Sequence, residues 1–468
     1  MPGKTLLLLA LAAVALLAAA APATATRWVQ GSPGLGDPYY EFAGNGGYDV
    51  RHYHLDLDYT PNPVNFLEGD ALITARATQN LSRFNLDFRP FYEIHSLRVN
   101  GLRASYTREE EHELVITPRL KIPKGWPIVV RVEYSGTPEA VVDPDDSLEG
   151  WVPLADGAFV VNEPQGSPGW YPANDNPRDK ATYSFKVTVP EGHTALANGR
   201  LVHRPVTRNG RTTWRWVEDS PMAPYLATAT NGPFDTDFTG RVDGIPIYNA
   251  VDPDLPTAQV AKDRIATTDD VIRFFSDLYG RYPFSSVGNV VDQAPTVGYA
   301  LESQTKAMYS NTPSQGTFVH EMAHMWFGNA VTLTTWDDIW LNEGFARWSE
   351  WIWFERNGGL TAQQQFDTFY ATSATNIGFW EPPPGNPGDA AAIFDGTIYT
   401  RGAMTLQALR QKIGDDAFFR ILRRWYAENK YGNVTTADFI ALSERVSGQQ
   451  LDQFFQVWLY TPAKPTTW

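Results

Sequence analysis

The sequence contains no cysteine among its 468 residues. This absence excludes disulfide bonds, thiolate metal ligands, cysteine catalysis and a lipidated N-terminal cysteine. Histidine is also scarce, with 8 in the chain and none after His324. We therefore expect the fold to be held by its hydrophobic core, its charge pattern and any metal that histidine or carboxylate side chains bind.

Basic patches and long apolar runs are also missing from most of the chain. The formal net charge is −15, so we do not expect a nucleic acid partner. After residue 25 no stretch is long and apolar enough to span a membrane. Hydrophobic residues make up 43% of the chain, with 16 Trp, 21 Tyr and 25 Phe, which argues against disorder. The length allows roughly two to four domains.

The first 25 residues form a strongly apolar segment of their own. A positive charge at Lys4 precedes the apolar residues 5–21, and Ala23-Thr24-Ala25 has the small-x-small pattern of a cleavage site. This pattern predicts a secretory signal peptide that is cut after Ala25, and therefore a secreted or extracellular protein. An uncleaved N-terminal membrane anchor is the alternative.

Three regions with different sequence patterns follow the predicted signal peptide. Residues 26–47 are rich in Gly and Pro and predict an irregular arm. Alternating stretches such as YDVRHYHLDLDY and WPIVVRVEYSG then predict an all-β domain over residues 48–232. Near Asn231-Gly232-Pro233 the strand-like alternation gives way to helical periodicity, and residues 233–468 predict a mainly helical domain. The expected fold class is therefore an α+β multidomain protein.

Residues 233–468 carry clear helical signals. One helical period ends at Gly280. Gly414 and Gly448 fit as the ends of two later helices, and Thr435 with Asp438 resembles a capping box. The period is carried by Ile265, Ile272, Phe275 and Leu278. Further helices are predicted around residues 315–328, 337–356, 402–413, 415–429 and 436–447.

Residues 320–324 read HEMAH, which is the H-E-x-x-H pattern. Residues four apart share one face of a helix, so His320 and His324 can point at one ion. Glu321 lies beside them, where it can act on a metal-bound water. A bare H-E-x-x-H is modest evidence, and an aromatic core helix that carries polar residues is the alternative.

A catalytic zinc usually takes three protein ligands. The metzincin spacing fails, because Phe327 and Ala330 stand where it requires Gly and His. Since no histidine follows His324, a carboxylate is the expected third ligand. The downstream candidates are Asp337, Asp338, Glu343 and Glu350; the two aspartates fit better as caps of the second helix.

The wording around this pattern resembles the zinc aminopeptidases typified by aminopeptidase N, a family of gluzincin metallopeptidases. HEMAH is followed, after eighteen residues, by Glu343 within NEGFA, and "MWFGNAVT" and "WDDIWLNEGFA" follow the family wording. The resemblance implies one Zn²⁺ per chain with His320, His324 and Glu343 as ligands. It implies Glu321 as the general base. It also implies a saddle-like N-terminal β domain followed by a thermolysin-like catalytic domain.

Three further motifs carry the resemblance. YALES at residues 299–303 stands where the family has G-A-M-E-N, which implies that Glu302 grips the substrate's α-amine. The segment around VNEPQ and NDNP implies a second amine-binding residue at Glu163. YTRGA implies that Tyr399 stabilises the transition state. Glu350, seven residues after Glu343 on one helix face, is a candidate partner for a ligand histidine, with a surface charge as the alternative.

The resemblance runs from about Tyr48 to the end. Fuller members add a small β-sandwich and a helical C-terminal domain, whereas this sequence stops after FFQVWLYTPAKP, where the catalytic domain of the family normally ends. The resemblance therefore implies a short secreted member that lacks the C-terminal domains, with a more open cleft. The expected function is a secreted zinc aminopeptidase that removes N-terminal residues from peptides with a free N-terminus. The alternatives are a catalytically inactive peptide-binding relative, or a zinc hydrolase of other specificity, such as an endopeptidase or epoxide hydrolase.

Overall fold

The computed structural model describes residues 27–372 and 377–467. The predicted signal peptide therefore lies outside the described residues. Within the described ranges, no helix combines the length and the apolar character that crossing a membrane requires.

The first half of the chain is built from β-strands. Its main sheet has the order β15-β17-β13-β2-β3-β9-β5-β6, and a smaller sheet has the order β10-β11-β12-β18-β14. The strands are β1 (Val29–Gln30), β2 (Tyr48–Thr60), β3 (Phe66–Ala77), β4 (Leu81–Asp87), β5 (Tyr92–Val99), β6 (Leu102–Arg103), β7 (Ser105–Glu109), β8 (Glu113–Thr117), β9 (Pro127–Gly136), β10 (Ala140–Val142), β11 (Leu148–Pro153), β12 (Ala158–Val161), β13 (Ala181–Pro190), β14 (Thr194–Ala197), β15 (Arg200–Leu201), β16 (Val206–Arg208), β17 (Arg211–Met222) and β18 (Ala229–Gly232).

Strand β2 shows why this region forms a sheet. Tyr53, Leu55 and Leu57 are fully buried, while His54 and Asp56 between them face the other side and are partly exposed, as is His52 before them. Successive side chains of a strand point to opposite faces, so this alternation buries one face against the core. Each fully buried side chain of this kind contributes about 1.5–3 kcal/mol relative to an exposed one.

The second half combines a small sheet with helices. The sheet has the order β19-β21-β22-β24-β23, and β21, β22 and β24 run parallel. Its strands are β19 (Asp235–Asp237), β20 (Arg241–Val242), β21 (Ile245–Val251), β22 (Val287–Val291), β23 (Ala300–Leu301) and β24 (Ala307–Tyr309), and the separate strands β25 (Thr332–Leu333) and β26 (Asn433–Val434) pair with each other. The helices are α1 (Ala258–Ile265), α2 (Thr268–Tyr279), α3 (Gln315–Ala323), α4 (Trp340–Arg356), α5 (Ala362–Thr372), α6 (Gly396–Ile413), α7 (Asp415–Asn429), α8 (Thr436–Ser447) and α9 (Asp452–Phe455).

Several helix ends differ from the sequence prediction, each for a local reason. The helix predicted for residues 315–328 ends at Ala323, and the chain then turns back with Gly328 at φ +126°. The helix predicted for residues 402–413 begins earlier, at Gly396, because the Asp395 side chain caps it by accepting a hydrogen bond from the N–H of Thr397. The single helical period before Gly280 is divided between α1 and α2.

Other predicted helix ends agree with the structure. Gly280, Gly414 and Gly448 each follow the last residue of a helix. Thr435 and Asp438 form a reciprocal capping box at the start of α8. The aspartates predicted to cap the second helix do not do so; Asp338 instead accepts hydrogen bonds from the backbone and hydroxyl of a residue in α8.

Contacts between the two halves lie close to the end of α3. The Lys180 ammonium, from the first half, donates to the carbonyl oxygens of Asn329, Ala330 and Gly432 at 3.1, 3.3 and 3.1 Å. The predicted arm contains the short strand β1, and its Asp37 carboxylate accepts a hydrogen bond from a backbone N–H at Trp336, 2.9 Å away. These bonds fix the segment between α3 and α4 against the β-rich half.

Candidate metal centre

Helix α3 carries the two histidines of the H-E-x-x-H pattern. Ser314 begins the helix, since its side chain accepts a hydrogen bond from the N–H of Thr317 at 3.0 Å. The helical spacing places His320 and His324 on one face, with ring centroids 4.7 Å apart. The sequence expectation of a shared face is met, although His324 is already the residue that follows the helix.

Helix α4 brings a carboxylate to the same point. Glu343 lies in its first turn, and its Oε2 is 3.0 Å from Nε2 of His320 and 3.5 Å from Nε2 of His324. One ligand atom from each of the three residues lies within 4.8 Å of the others, and all three side chains are buried. Two imidazoles and one carboxylate are a donor set that suits a catalytic zinc.

Each imidazole is oriented by a hydrogen bond at Nδ1, the ring nitrogen that faces away from Glu343. Nδ1 of His320 is 2.9 Å from Oε1 of Glu350, and Nδ1 of His324 is 3.0 Å from the carbonyl oxygen of Phe327. With Nδ1 of each ring donating to these oxygens, Nε2 is the nitrogen that a cation would bind, in place of the proton that Glu343 accepts from His320. Metal-bound histidines are commonly oriented in this way. The other oxygen of Glu350 accepts a hydrogen bond from Arg347 at 2.6 Å.

The electrostatics of the three side chains favour a positive charge at their meeting point. Burial would lower the pKa of His320, but its hydrogen bonds to Glu343 and Glu350 raise that pKa well above its ordinary value. Burial would raise the pKa of Glu343, but the neighbouring His324 and His320 hold it at about 2. A metal cation supplies the charge that this arrangement stabilises, so the residues fit the metal.

Glu321 lies on the wall of the same cavity, but its carboxylate is not part of the cluster formed by His320, His324 and Glu343. One of its oxygens instead lies within 4.8 Å of ligand atoms of Glu302 and His324. It is 4% exposed. Burial raises its pKa to about 8, against the lowering effect of the two histidines. A carboxylate whose pKa lies near neutrality can both accept and release a proton at ordinary pH.

Two further carboxylates face the cavity from different sheets. Glu163 follows β12 by two residues and Glu302 follows β23 directly; they are 7% and 2% exposed. One oxygen of each lies within 4.8 Å of the other and of Glu343. In each side chain Oε1 is buried with no hydrogen-bond partner. Burial raises both pKa values, and the close approach of the two carboxylates raises that of Glu163 further.

A close contact between helices brings Tyr399 to the site. A Cβ added to Gly344 on α4 would lie 2.9 Å from backbone atoms of Gly402 on α6, so the two helices meet where neither has a side chain. Tyr399 lies three residues before this contact. Its ring centroid is 5.8 Å from that of His320, and its pKa is raised by burial and then by the negative charge of Glu343.

The predicted site residues surround one cavity of about 400 Å³. It is lined by Glu163, Tyr299, Ala300, Glu302, Ser314, Thr317, His320, Glu321, His324, Glu343, Arg347, Glu350, Gly396, Tyr399 and Thr400. Arg347 was not singled out from the sequence, although its place three residues before Glu350 on a helix was a readable signal. His52 and His54 lie elsewhere, where both contact the Ser184 hydroxyl at 2.8 Å.

Two family models match the chain. The model described as the Peptidase M1 N-terminal domain matches residues 50–226, and the Peptidase family M1 domain matches residues 296–458. Aminopeptidase N of Streptomyces lividans is 26% identical over 405 residues, which cover 79% of this chain and 45% of that protein. The chain spans about half the length of the curated relatives it matches.

Solved structures of similar fold cover nearly the whole described chain. A variant of the M1 zinc metallopeptidase from Deinococcus radiodurans, with glutamate changed to alanine and Tyr-Ser-Ala substrate bound, has a TM-score of 0.83 and 29% identity. The match covers 92% of this chain and 99% of that one. A two-domain M1 zinc metallopeptidase bound to L-arginine has a TM-score of 0.84 and 29% identity, with coverage of 92% and 98%. The predicted fold class, a β-rich domain followed by a helical catalytic domain, is confirmed.

Proposed function

The chain belongs to the M1 family of zinc metallopeptidases, and from this premise we propose that it is an aminopeptidase that hydrolyses the N-terminal residue from peptides. His320, His324 and Glu343 would hold the zinc ion. When bound, zinc supplies Lewis acidity, which acidifies water and polarises a carbonyl group. The protein's own residues carry the remaining steps.

Glu321 moves the proton in this proposal. Its carboxylate accepts a proton from the attacking water and then delivers that proton to the nitrogen of the leaving amine. A pKa near neutrality suits both transfers. The Tyr399 hydroxyl donates a hydrogen bond to the carbonyl oxygen of the substrate as negative charge develops there. The raised pKa of Tyr399 keeps this hydroxyl protonated at neutral pH.

The observation that carries the proposal is the pair of buried carboxylates, Glu163 and Glu302. In the described part of the chain, neither has a Lys or Arg partner within 4.0 Å; Glu302 has only Nδ1 of His324 at 3.9 Å. Two buried like charges without a matching cation are costly. The α-ammonium of a peptide's first residue offsets them, whereas an internal peptide bond carries no such charge. This difference favours an aminopeptidase over an endopeptidase.

Changing Glu302 to Gln tests the amine-binding role. A charge-assisted hydrogen bond contributes about 1.5–3 kcal/mol, so we expect KM for leucyl p-nitroanilide to rise about 10–100-fold. Inhibition by leucinamide should weaken by a similar factor, while inhibition by N-acetyl-leucinamide should change little. The exposed Glu41→Gln serves as the matched control. An equal loss of affinity for the free and the acetylated amide would remove the amine-binding role.

The side chain of the substrate's first residue, which carries the α-amine, would lie in a neighbouring cavity of about 230 Å³. Tyr299, Phe394 and Tyr399 supply aromatic walls, and Asp145 lies at the rim. Burial, and then the negative charge of nearby carboxylates such as Glu149 and Glu163, raises the pKa of Tyr299 well above its ordinary value, so the cavity wall carries negative charge. We propose that this cavity favours long cationic side chains, because aromatic faces and negative charge both attract them.

A panel of aminoacyl p-nitroanilides measures this preference. We expect kcat/KM to be at least about 10-fold higher for arginyl and lysyl than for glutamyl substrates, which the negative charge repels. Asp145→Asn should reduce the difference. If the glutamyl substrate is cleaved as fast as the arginyl one, the proposed preference is wrong, although the aminopeptidase proposal is not affected.

Secretion is proposed on the pattern of residues 1–25 alone. Expression of the full chain in a host with a secretory pathway should give protein in the medium whose first residue is Thr26. Protein that stays in the membrane fraction with Met1 or Pro2 at its N-terminus would favour the uncleaved anchor.

A further inference from the structure

A second cluster of metal-ligating side chains lies in the β-rich half. Asp87 ends β4, and Glu113 pairs with it in register as the first residue of β8. His112 precedes Glu113 directly. One ligand atom from each of these three residues lies within 4.8 Å of the others, and Nε2 of His112 is 3.9 Å from Oδ1 of Asp87. None of the three lines the cavity of the proposed active site.

The two carboxylates of this cluster are buried and lack a strong cationic partner. Asp87 is 0% exposed and Glu113 is 2% exposed. In the described ranges, no Lys or Arg lies within 4.0 Å of either carboxylate, and His112 is the nearest basic group. Directly opposed like charges on neighbouring strands destabilise a sheet. Burial, and then the charge of Asp87, raises the pKa of Glu113 to about 8.

Unpartnered buried oxygens provide a second, independent observation. Oε2 of Glu113 accepts a hydrogen bond from Asn85, but its Oε1 has no donor. Asp175 donates its backbone N–H to Asp87 at 2.6 Å, and its own Oδ2 is buried without a partner. Asn45 donates its amide to Asp87 at 2.9 Å and leaves its Oδ1 unpartnered. The three residues with an unpartnered oxygen, Glu113, Asp175 and Asn45, are each at most 3% exposed.

We propose that Asp87, His112 and Glu113 bind a second divalent cation. One imidazole and two carboxylates suit zinc or manganese better than calcium, which prefers oxygen ligands alone. A cation here removes the repulsion between the two carboxylates and gives the unpartnered Oε1 of Glu113 a partner.

Such an ion would have a structural role. The Asp87 carboxylate already accepts a hydrogen bond from the N–H of Gly44 at 3.1 Å, and Nε2 of His112 donates to the carbonyl oxygen of Phe42 at 3.2 Å. Nδ1 of His112 is buried without a hydrogen-bond partner and is therefore the nitrogen that would bind the ion. The ion would therefore join β4 and β8 to residues 42–45 of the arm. The arm in turn contacts the catalytic half at Trp336, so the second ion stabilises the arrangement of the two halves.

Metal content tests this proposal directly. The full chain is incubated with excess ZnCl₂, separated from free metal by gel filtration, and analysed by inductively coupled plasma mass spectrometry. We expect two equivalents of zinc per chain in the wild type and one in each of His112→Gln and Glu113→Gln. The exposed Glu111→Gln is the matched control and should retain two. His320→Ala should lose only the other equivalent.

Activity and melting temperature distinguish this result from a failure of the proposed function. His112→Gln should hydrolyse leucyl p-nitroanilide at the wild-type rate, since it lies outside the catalytic cavity, and added zinc should raise its melting temperature less than that of the wild type, because only the other ion still binds. One equivalent in the wild type, lost in His320→Ala and unchanged in Glu113→Gln, would overturn the proposal. Two equivalents that persist in Glu113→Gln would overturn it as well, because the second ion would then lie elsewhere.

Discussion

At the scale of single residues, the candidate centre depends on which ring nitrogen of each histidine carries a proton. Glu350 and the carbonyl oxygen of Phe327 each bind an Nδ1, so the Nε2 atoms of His320 and His324 are directed at Glu343. The two proposed histidine ligands therefore depend on partners in two other segments, helix α4 and the turn that follows α3. A ligand set without such partners would leave the imidazoles free to rotate.

The role of Glu321 is the sharpest prediction at this scale. Glu321→Gln keeps the size of the side chain but removes its ability to accept a proton. We expect kcat for leucyl p-nitroanilide to fall about 10²–10⁴-fold, with KM and zinc content unchanged. Steady-state kinetics and metal analysis of the purified variant measure these quantities. A variant that loses zinc along with activity would instead assign Glu321 to metal binding.

The relative position of the two histidines could be predicted from the sequence, because it depends only on residues that are close together in the chain. The i, i+4 spacing fixes the relation of His320 to His324 once a helix forms. The approach of Glu163 to Glu302 is different, since 139 positions separate them and two separate sheets carry them. That pair was assigned from the family resemblance, and no periodicity in the sequence could have brought the two carboxylates together.

At the scale of elements, the contact of α4 with α6 places the proposed zinc ligand Glu343 beside Tyr399. Gly344 and Gly402 face each other there, and a methyl group on either would come within 2.9 Å of the opposite backbone. Backbone atoms cannot move aside as a flexible side chain can. The two glycines therefore set the distance between the helices.

Gly344→Ala tests this contact. The added methyl group forces the helices apart, and we expect a loss of about 1–3 kcal/mol in the free energy of unfolding together with lower activity. Urea denaturation measures the change. Gly396→Ala on α6 is the matched control for stability, because a Cβ at that position meets nothing within 4 Å. Equal stability of Gly344→Ala and wild type would show that the contact is looser than the structure indicates.

Helix ends show what local chemistry can and cannot predict. The capping box at Thr435 and the stops at Gly414 and Gly448 depend on neighbouring residues alone, and all three were predicted. The predicted end of α3, at residue 328, was wrong, because the helix ends at Ala323 and the chain then turns back at Gly328. A side chain at this turn is excluded, since a Cβ on Gly328 would lie 3.0 Å from Nδ1 of His324. That requirement comes from the site, which no local pattern contains.

At the scale of the whole molecule, the fold class could be predicted because the hydrophobic pattern changes from strand-like alternation in the first half to helical periodicity in the second. The arrangement of the halves did not, since it depends on contacts such as the three hydrogen bonds of Lys180. Lysine is usually a surface residue, so its position in the sequence gave no sign of this role.

Buried carboxylates make stability depend on pH. Burial, and then the charge of Asp252, raises the pKa of Asp292 at the end of β22 to about 8. Between the unfolded pKa of about 4 and this value, the folded state binds a proton that the unfolded state releases. Stability from Asp292 is therefore present at low pH and is lost as pH rises towards 8, at no more than about 1.4 kcal/mol per pH unit.

Asp292→Asn isolates this contribution. We expect the difference in free energy of unfolding between pH 5.5 and pH 8 to shrink in this variant relative to wild type, as measured by urea denaturation. The exposed Asp277→Asn should leave the difference unchanged. A wild type whose stability rises over this pH range, with no effect of Asp292→Asn, would contradict the assignment.

The central claim is zinc-dependent hydrolysis that requires a free α-amine. Its most direct test is the cleavage of leucyl p-nitroanilide and of its N-acetylated twin, each with chelator and after zinc is restored. We expect cleavage of the free-amine substrate alone, abolished by the chelator and recovered with zinc. Equal cleavage of the acetylated twin, or cleavage that the chelator does not affect, would contradict the account.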